Sequence, residues 1–305
     1  MMRGDLSFLP VSLHINQFSL SADNKGQSKR TGNASGRKKG VFDMKTRLMV
    51  FGLFALAAVL TSNSSFGQSE DIKLIRSQLR AIKDAESEVR IPALYKVKTI
   101  ATASEHSQVK LAALDLLLEP VKSSQDHIRI PAVYAIVDIA SGTQDVDVQR
   151  TALSALKEPI KAGTIAIRLV AIDALNIITT HSNSRNALLA TALTLLNEPV
   201  DSHNDSVRMP AVNSIIRLVE GSGNEAAYQQ ALNSLRQPIA SSRKEIRFMT
   251  VDAIERIGIE AKSKQTKEKA IQVLSPAKKS DWSDALVERA FEATFKIRES
   301  MSAKT

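Results

Sequence analysis

The chain has 305 residues, 43% of them hydrophobic, with 41 Lys and Arg against 32 Asp and Glu and no cysteine. Without cysteine there is no disulfide framework, no thiolate metal site and no attachment point for a lipoprotein anchor. Nine of the basic and three of the acidic residues lie in 1–67, so 68–305 carries 32 against 29, a net +3 that gives little reason to expect a polyanionic partner.

Residues 1–43 form the first segment. Residues 1–20 show no sustained period, and 21–43 are polar and basic, with Lys25, Lys29 and Arg30 followed by Arg37, Lys38 and Lys39 among Ser, Gly and Asn. So polar a stretch builds no core, and it is expected to be a disordered arm or a non-native extension upstream of a start at Met44. Residues 44–67 follow. Lys45 and Arg47 lead into thirteen residues, Leu48 to Leu60, with no charged or polar side chain, and Ser65 and Gly67 put small residues at −3 and −1 of a cut before Gln68. Basic, apolar and small-residue regions in that order make a secretory signal peptide. Thirteen residues is short of the ~20 that a spanning helix needs. The expectation is an exported protein, periplasmic or secreted, with no transmembrane helix in its mature form. A disordered cytoplasmic arm before a signal anchor is the alternative.

Residues 68–305 are organised by a recurring stretch. Ala113-Leu114, Leu117 and Glu119-Pro120 return as Ala152-Leu153, Leu156 and Glu158-Pro159, then as Ala192-Leu193, Leu196 and Glu198-Pro199, and with Gln237-Pro238 as Ala231-Leu232 and Leu235. The prolines are 39, 40 and 39 residues apart, and Pro276 follows 38 later in a degraded copy. Nine residues after each of the four comes an arginine behind an aliphatic residue: Arg129, Arg168, Arg208 and Arg247, with Arg90 in the same register before them. Self-similarity near forty residues is the mark of a helical solenoid. Each copy reads as two helices. Leu153, Leu156 and Ile160 make one stripe of the first; Ala132, Val133, Ile136, Ile139 and Ala140 make one stripe of the second. Proline near the end of the first helix kinks or stops it. Ser87, Asp126 and Asp205, each three before an arginine, are expected caps of the second helix. Pro92, Pro131 and Pro210 are expected near the first turn, where a missing N–H is tolerated. A degenerate first helix over Asp71–Ala85 and a last helix over Asp284–Met301, where Val287 replaces the arginine, bring the total to twelve helices in six pairs, one domain.

An aliphatic-Arg pair with Ala three further on and aliphatic residues a turn and two turns beyond, behind a Leu-rich helix with proline, resembles the HEAT repeat of the armadillo-like superfamily, over about Ser69 to Ser302. The resemblance implies an all-α fold, a right-handed α-α superhelix of about six helix pairs. It also implies that the arginines form a structural ladder against acidic residues of a neighbouring repeat. Asp126 and Asp205 fit that partner role, whereas Ile165 stands there in the third repeat. The last pair departs most from the pattern: Trp282, Phe291 and Phe295 gather near Lys262, Lys264, Lys267, Lys269, Lys278 and Lys279, as in a capping repeat.

A search for chemistry finds none. His106 and His181 fall between repeats, while His127 and His203 fall in turns on the opposite edge. Members of each pair are two repeats, about 20 Å, apart at helix spacings of ~8–10 Å, too far to share a metal. No phosphate-binding loop, His-Glu-x-x-His or Gly-x-Ser-x-Gly occurs, so no catalytic residue, cofactor or metal is expected and the chain reads as a non-enzyme. What remains is surface. The resemblance places the second helices on a concave face. Their outward stripe, five and nine residues after each arginine, varies from unit to unit: Tyr95, Tyr134, Asp173, Asn213 and Asp252, then Thr99, Asp138, Ile177, Arg217 and Arg256. Tyr95, Tyr134, Asp138, Asp173, Asn213, Arg217, Asp252 and Arg256 are the expected partner-binding residues of an exported, monomeric scaffold that holds a protein or peptide in the bacterial envelope. A nucleic-acid-binding solenoid is the first alternative, opposed by the acidic share of the stripe. A HEAT-like lyase is the second, lacking the residues.

Overall fold

A computed structural model describes residues 67–83, 86–275 and 283–302. The arm 1–43, the signal segment through Phe66, and Pro276, Lys278, Lys279 and Trp282 lie outside the described residues. All described residues belong to one compact unit. Among them there is helix and no strand, and no helix is long and apolar enough to cross a membrane.

Six helix pairs follow one another. The first is α1 (67–77) with α2 (Leu79–Ile82), paired with α3 (Ser87–Ala103); then come α4 (Ser107–Val121) with α5 (Asp126–Ser141), and α6 (Val146–Ala155) plus α7 (Lys157–Ala162) with α8 (Ile165–Thr180). After them stand α9 (Arg185–Val200) with α10 (Asp205–Val219), α11 (Glu225–Ser234) plus α12 (Arg236–Ile239) with α13 (Lys244–Glu260), and α14 (Lys264–Leu274) with α15 (Asp284–Ser302). Each second helix packs on the second helix of the next pair, α3 on α5, α5 on α8, α8 on α10, α10 on α13 and α13 on α15. The first helices do the same in a parallel layer, and the two layers share one continuous core. Both apolar stripes of the repeat lie in it: Leu153, Leu156 and Ile160 from the first layer, and Ala132, Val133, Ile136, Ile139 and Ala140 from the second.

The Glu-Pro proline acts in two ways. In α4 and α9 the helix runs through Pro120 or Pro199 and stops one residue later. In the third and fifth repeats it breaks, at Leu156 and Leu235. Those breaks follow Ala155 and Ser234, the residues whose carbonyls Pro159 and Pro238, four further on, leave without an N–H donor. The second-helix prolines lie deeper than expected: Pro92, Pro131 and Pro210 are each the sixth residue of α3, α5 and α10, in the second turn. The caps are also displaced by one. Ser87, Asp126 and Asp205 are first helical residues, and Glu86, Gln125 and Asn204 occupy the cap position. Of these only Asn204 caps through its side chain, accepting from Ser206 N at 2.9 Å. Asp126 and Asp205 still favour the helix, as negative charge at the positive end of its dipole. His127, too, belongs to the first turn of α5 and not to a turn between helices.

The arginine row is structural, with partners other than those expected. Arg129 Nε donates to Val121 O at 3.1 Å, Arg168 Nε to Ile160 O at 2.9 Å and Arg208 Nε to Ser202 O at 2.7 Å. These three arginines thus hold the chain at or just past the end of the first helix of their own repeat. The outer nitrogens reach the next repeat: Arg90 Nη2 to Glu119 at 2.9 Å, Arg168 Nη2 to Glu198 at 2.8 Å, and Arg208 Nη1 to Ser241 Oγ at 3.0 Å. The acid of the ladder is therefore the glutamate of the Glu-Pro stretch. Asp126 instead accepts from Thr164 Oγ1 at 2.5 Å, and Asp205 lies 3.4 Å from Arg243, with Arg208 of its own helix at 3.8 Å. The third repeat, with Ile165 at the expected acid position, makes the ladder contact all the same.

A second set of cations clasps the opposite edge. Lys110 is buried in α4, and its Nζ donates to Gly142 O at 2.9 Å, the cap residue of α5. Buried Lys267 in α14 donates to Ser300 O at 2.8 Å near the end of α15. Arg185, opening α9, donates to the carbonyls of Arg217, Leu218 and Glu220 at the end of α10. A cation at a helix C-terminus satisfies orphan carbonyls and opposes the negative end of the dipole.

Candidate partner-binding face

The outward stripe of the second helices follows from the same period that builds the core. Five and nine residues beyond the arginine lie one turn apart, on the flank opposite the buried positions. The structure sets Tyr95 on α3 and Tyr134 on α5 beside each other, at 52% and 55% exposed, around a cleft of about 230 Å³ that Leu94, Lys98, Pro131 and Ala135 complete. Lys98 Nζ stands 5.2 Å from the centre of the Tyr95 ring and pairs with Asp138 at 3.0 Å. An ammonium over a phenol ring and against a carboxylate fixes the surroundings of Tyr95, and both rings stay more than half exposed.

The other expected residues divide. Asp173, Asn213 and Arg217 are exposed on α8 and α10, and among the described residues their side chains form no hydrogen bond or ion pair. Exposed Ile177 lies on the same stripe. Beneath it Asn176 Nδ2 donates to Ser214 Oγ at 2.7 Å, a buried bond that locks α8 to α10. Arg256 is engaged with Glu220 at 3.5 Å, an exposed pair of the kind worth ~0–1 kcal/mol. Asp252 belongs to a tighter network: Arg289 of α15 pairs with it at 2.7 Å and with Glu255, which also accepts from Lys296 Nζ at 3.0 Å. Burial pulls the Glu255 carboxyl upward, and hydrogen bonds and charge from Lys296 and Arg289 outweigh it, leaving the group below the usual glutamate range. That network joins α13 to α15 and places Asp252 in a joint between helices. Five of the eight residues thus remain open as a stripe, Tyr95 and Tyr134 at one end and Asp173, Asn213 and Arg217 along the middle.

Leu94, Lys98, Pro131 and Ala135 are the cleft residues that the two-position stripe left out. The signal was present, because Lys98 stands eight after Arg90, on the same flank. Among the described residues no group of three His, Cys, Asp or Glu side chains could hold a metal ion. The perturbed groups sit in joints. Burial raises the Glu225 carboxyl while Thr266 and the Lys262 and Ser263 amides lower it further, and burial raises the Tyr228 hydroxyl. Glu225 ties α11 to the start of α14, and Tyr228 O–H donates to Glu260 at 3.1 Å.

No family model and no curated protein matches the sequence. Solved structures that it resembles are repeat proteins. A designed armadillo repeat protein in complex with the peptide (KR)4 is 22% identical over 73% of this chain and 98% of its own, with a TM-score of 0.46. The HEAT-like repeats protein of the archaeon Thermococcus onnurineus NA1 is 13% identical over 78% of this chain and 93% of its own, at 0.44.

Proposed function

We propose that the chain is an exported, non-catalytic scaffold that holds a protein or peptide partner in the bacterial envelope along the stripe of its second helices. The adjacent exposure of Tyr95 and Tyr134 carries this reading. Both rings occupy one register on neighbouring helices, where other repeats put Asp or Asn, and neither is needed by the core. Large, stiff aromatic side chains standing together in the open are the usual centre of a protein-binding patch. The open Asp173, Asn213 and Arg217 then extend the contact across further repeats, with acid before base along the solenoid. Export rests on the order of charge, apolar run and small residues in 44–67.

The test is a double variant. Tyr95→Ala with Tyr134→Ala abolishes capture of the partner recovered from the envelope fraction, each ring being worth ~2 kcal/mol or more, and leaves helicity and melting unchanged. Intact capture removes the stripe from consideration. Export is read separately: protein recovered from the producing cell begins at or near Gln68, and Leu56→Asp blocks its passage. A full-length cytoplasmic pool beginning at Met1 overturns that half of the reading.

A further inference from the structure

The last described helix has the features of a joint. In α15, Val287 holds the place of the repeat arginine, and Phe291 and Phe295 stand four and eight residues beyond it. At the fourth position the five earlier second helices carry Leu94, Val133, Ile172, Val212 and Val251, all buried. At the eighth, Val137, Asn176 and Glu255 are buried. The cover comes from the next second helix: Asn176 bonds Ser214 of α10, and Glu255 bonds Lys296 of α15. Phe291 and Phe295 repeat that register, and among the described residues no later helix packs on α15; the two rings are 53% and 67% exposed. A helix without a neighbour on one side ordinarily turns a polar face to water. α15 instead turns two phenyl rings outward, in a register that α8 and α13 use to receive their successors.

We propose that α15 receives the α15 of a second copy, antiparallel across a two-fold axis, so that the chain forms a dimer end to end. This goes beyond the scaffold reading and departs from the monomer expected from the sequence. The choice of a second copy rests on the order of side chains. Glu288, Phe291, Phe295 and Arg298 are spaced three, four and three residues apart, hence on one face of the helix. Read backwards the face is base, ring, ring, acid. An antiparallel copy therefore sets Phe291 of each chain against Phe295 of the other, and Glu288 against Arg298, each contact made twice. Self-complementarity of this kind is the requirement for a two-fold interface. Glu288 and Arg298 are both exposed, and among the described residues neither has an ion-pair partner within its own chain. Beside Phe291 a shallow apolar cleft walled by Ile271, Leu274 and Val287 lies open to an opposing ring. One helix against one helix is a small interface, below about 1,200 Å² in total, so a weak, concentration-dependent dimer is expected.

Sedimentation equilibrium over a concentration series, on the protein as its producing cell delivers it, tests the proposal. The parent shows a monomer–dimer equilibrium, and Phe295→Glu weakens it about a hundredfold or more, since the ring is lost twice by symmetry. Glu288→Arg and Arg298→Glu each weaken it about tenfold by opposing like charges. Mixed together, these two charge variants associate again, each supplying what the other lacks, and a chain carrying both changes regains the parental constant. All three positions are exposed, so circular dichroism and melting of the monomer stay unchanged, which separates loss of association from loss of fold. A parent that is monomeric at every concentration, or a dimer indifferent to Phe295→Glu, overturns the second copy. Failure of the charge variants to recover on mixing overturns the antiparallel seating.

Discussion

Replacing Arg168 by alanine asks whether the arginine row holds the fold or a ligand. Two charge-assisted hydrogen bonds disappear, from Nε to Ile160 O at 2.9 Å and from Nη2 to Glu198 at 2.8 Å. A buried bond of that type contributes ~1.5–3 kcal/mol, and the first qualifies because most of the arginine side chain is covered. The second ends on a half-exposed carboxylate, where solvent screening reduces the pair to ~0–1 kcal/mol. The expected loss is then about 1.5–4 kcal/mol. At ~2–4 °C per kcal/mol for a domain of this size, the melting midpoint falls by roughly 3–16 °C. Glu198→Gln, read beside it, costs at most ~1 kcal/mol, and the double-mutant cycle isolates the pair from the helix-end bond. Urea denaturation followed by circular dichroism supplies the numbers. An unchanged midpoint together with loss of partner capture refutes the structural assignment and makes the row a contact surface.

Acidification should loosen the joint between α13 and α15. Glu255 has a folded pKa lowered from 4.5, so its contribution is fully present above that value and is lost as pH falls through the lower folded value. Stability of the parent therefore declines more steeply in this acid range than that of Glu255→Gln, and equal declines would remove Glu255 from the account. Gly258→Ala probes the packing of the same joint. A methyl group there would meet Ile297 at 2.6 and 2.7 Å and Ala270 at 3.1 Å. Overpacking of that kind costs ~1–3 kcal/mol, against ~1 kcal/mol gained in helix propensity, so a net loss is expected in urea denaturation. A stabilised variant would show that α15 moves aside freely.

The architecture was legible because the period writes the core directly. A buried stripe in one repeat, such as Leu153, Leu156 and Ile160, recurs at fixed spacing, and so does the arginine. The contacts between repeats were less legible. Asp126 and Asp205 stood at the right distance from the arginine but one residue inside the helix, while the glutamate that does pair was part of the other signature. A lysine on an amphipathic helix reads as solvent-facing, so nothing in the letters distinguished Lys110 or Lys267 as buried; their acceptors are carbonyls of a helix more than thirty residues away. Among the stripe residues, Asp252 looked as open as Asp173. Arg289, on the one second helix without the repeat arginine, draws it into a joint.

The two clasps differ in what they bind together, and that bears on how such a chain can change length. Arg129 on Val121 and Lys110 on Gly142 both close within a single helix pair, one at each edge. Arg168 on Glu198 crosses to the next pair, but it asks only for the Glu-Pro stretch that the first, second and third pairs have ahead of them, with Gln237-Pro238 in that place for the fourth. A forty-residue block copied or excised in register therefore brings or removes its own fastenings, and the arginine at the new junction meets the glutamate of the Glu-Pro stretch or, as Arg208 does, a serine just after it. Whole units can therefore be added to or taken from the stripe without redesigning any of them, and its length follows the number of repeats alone.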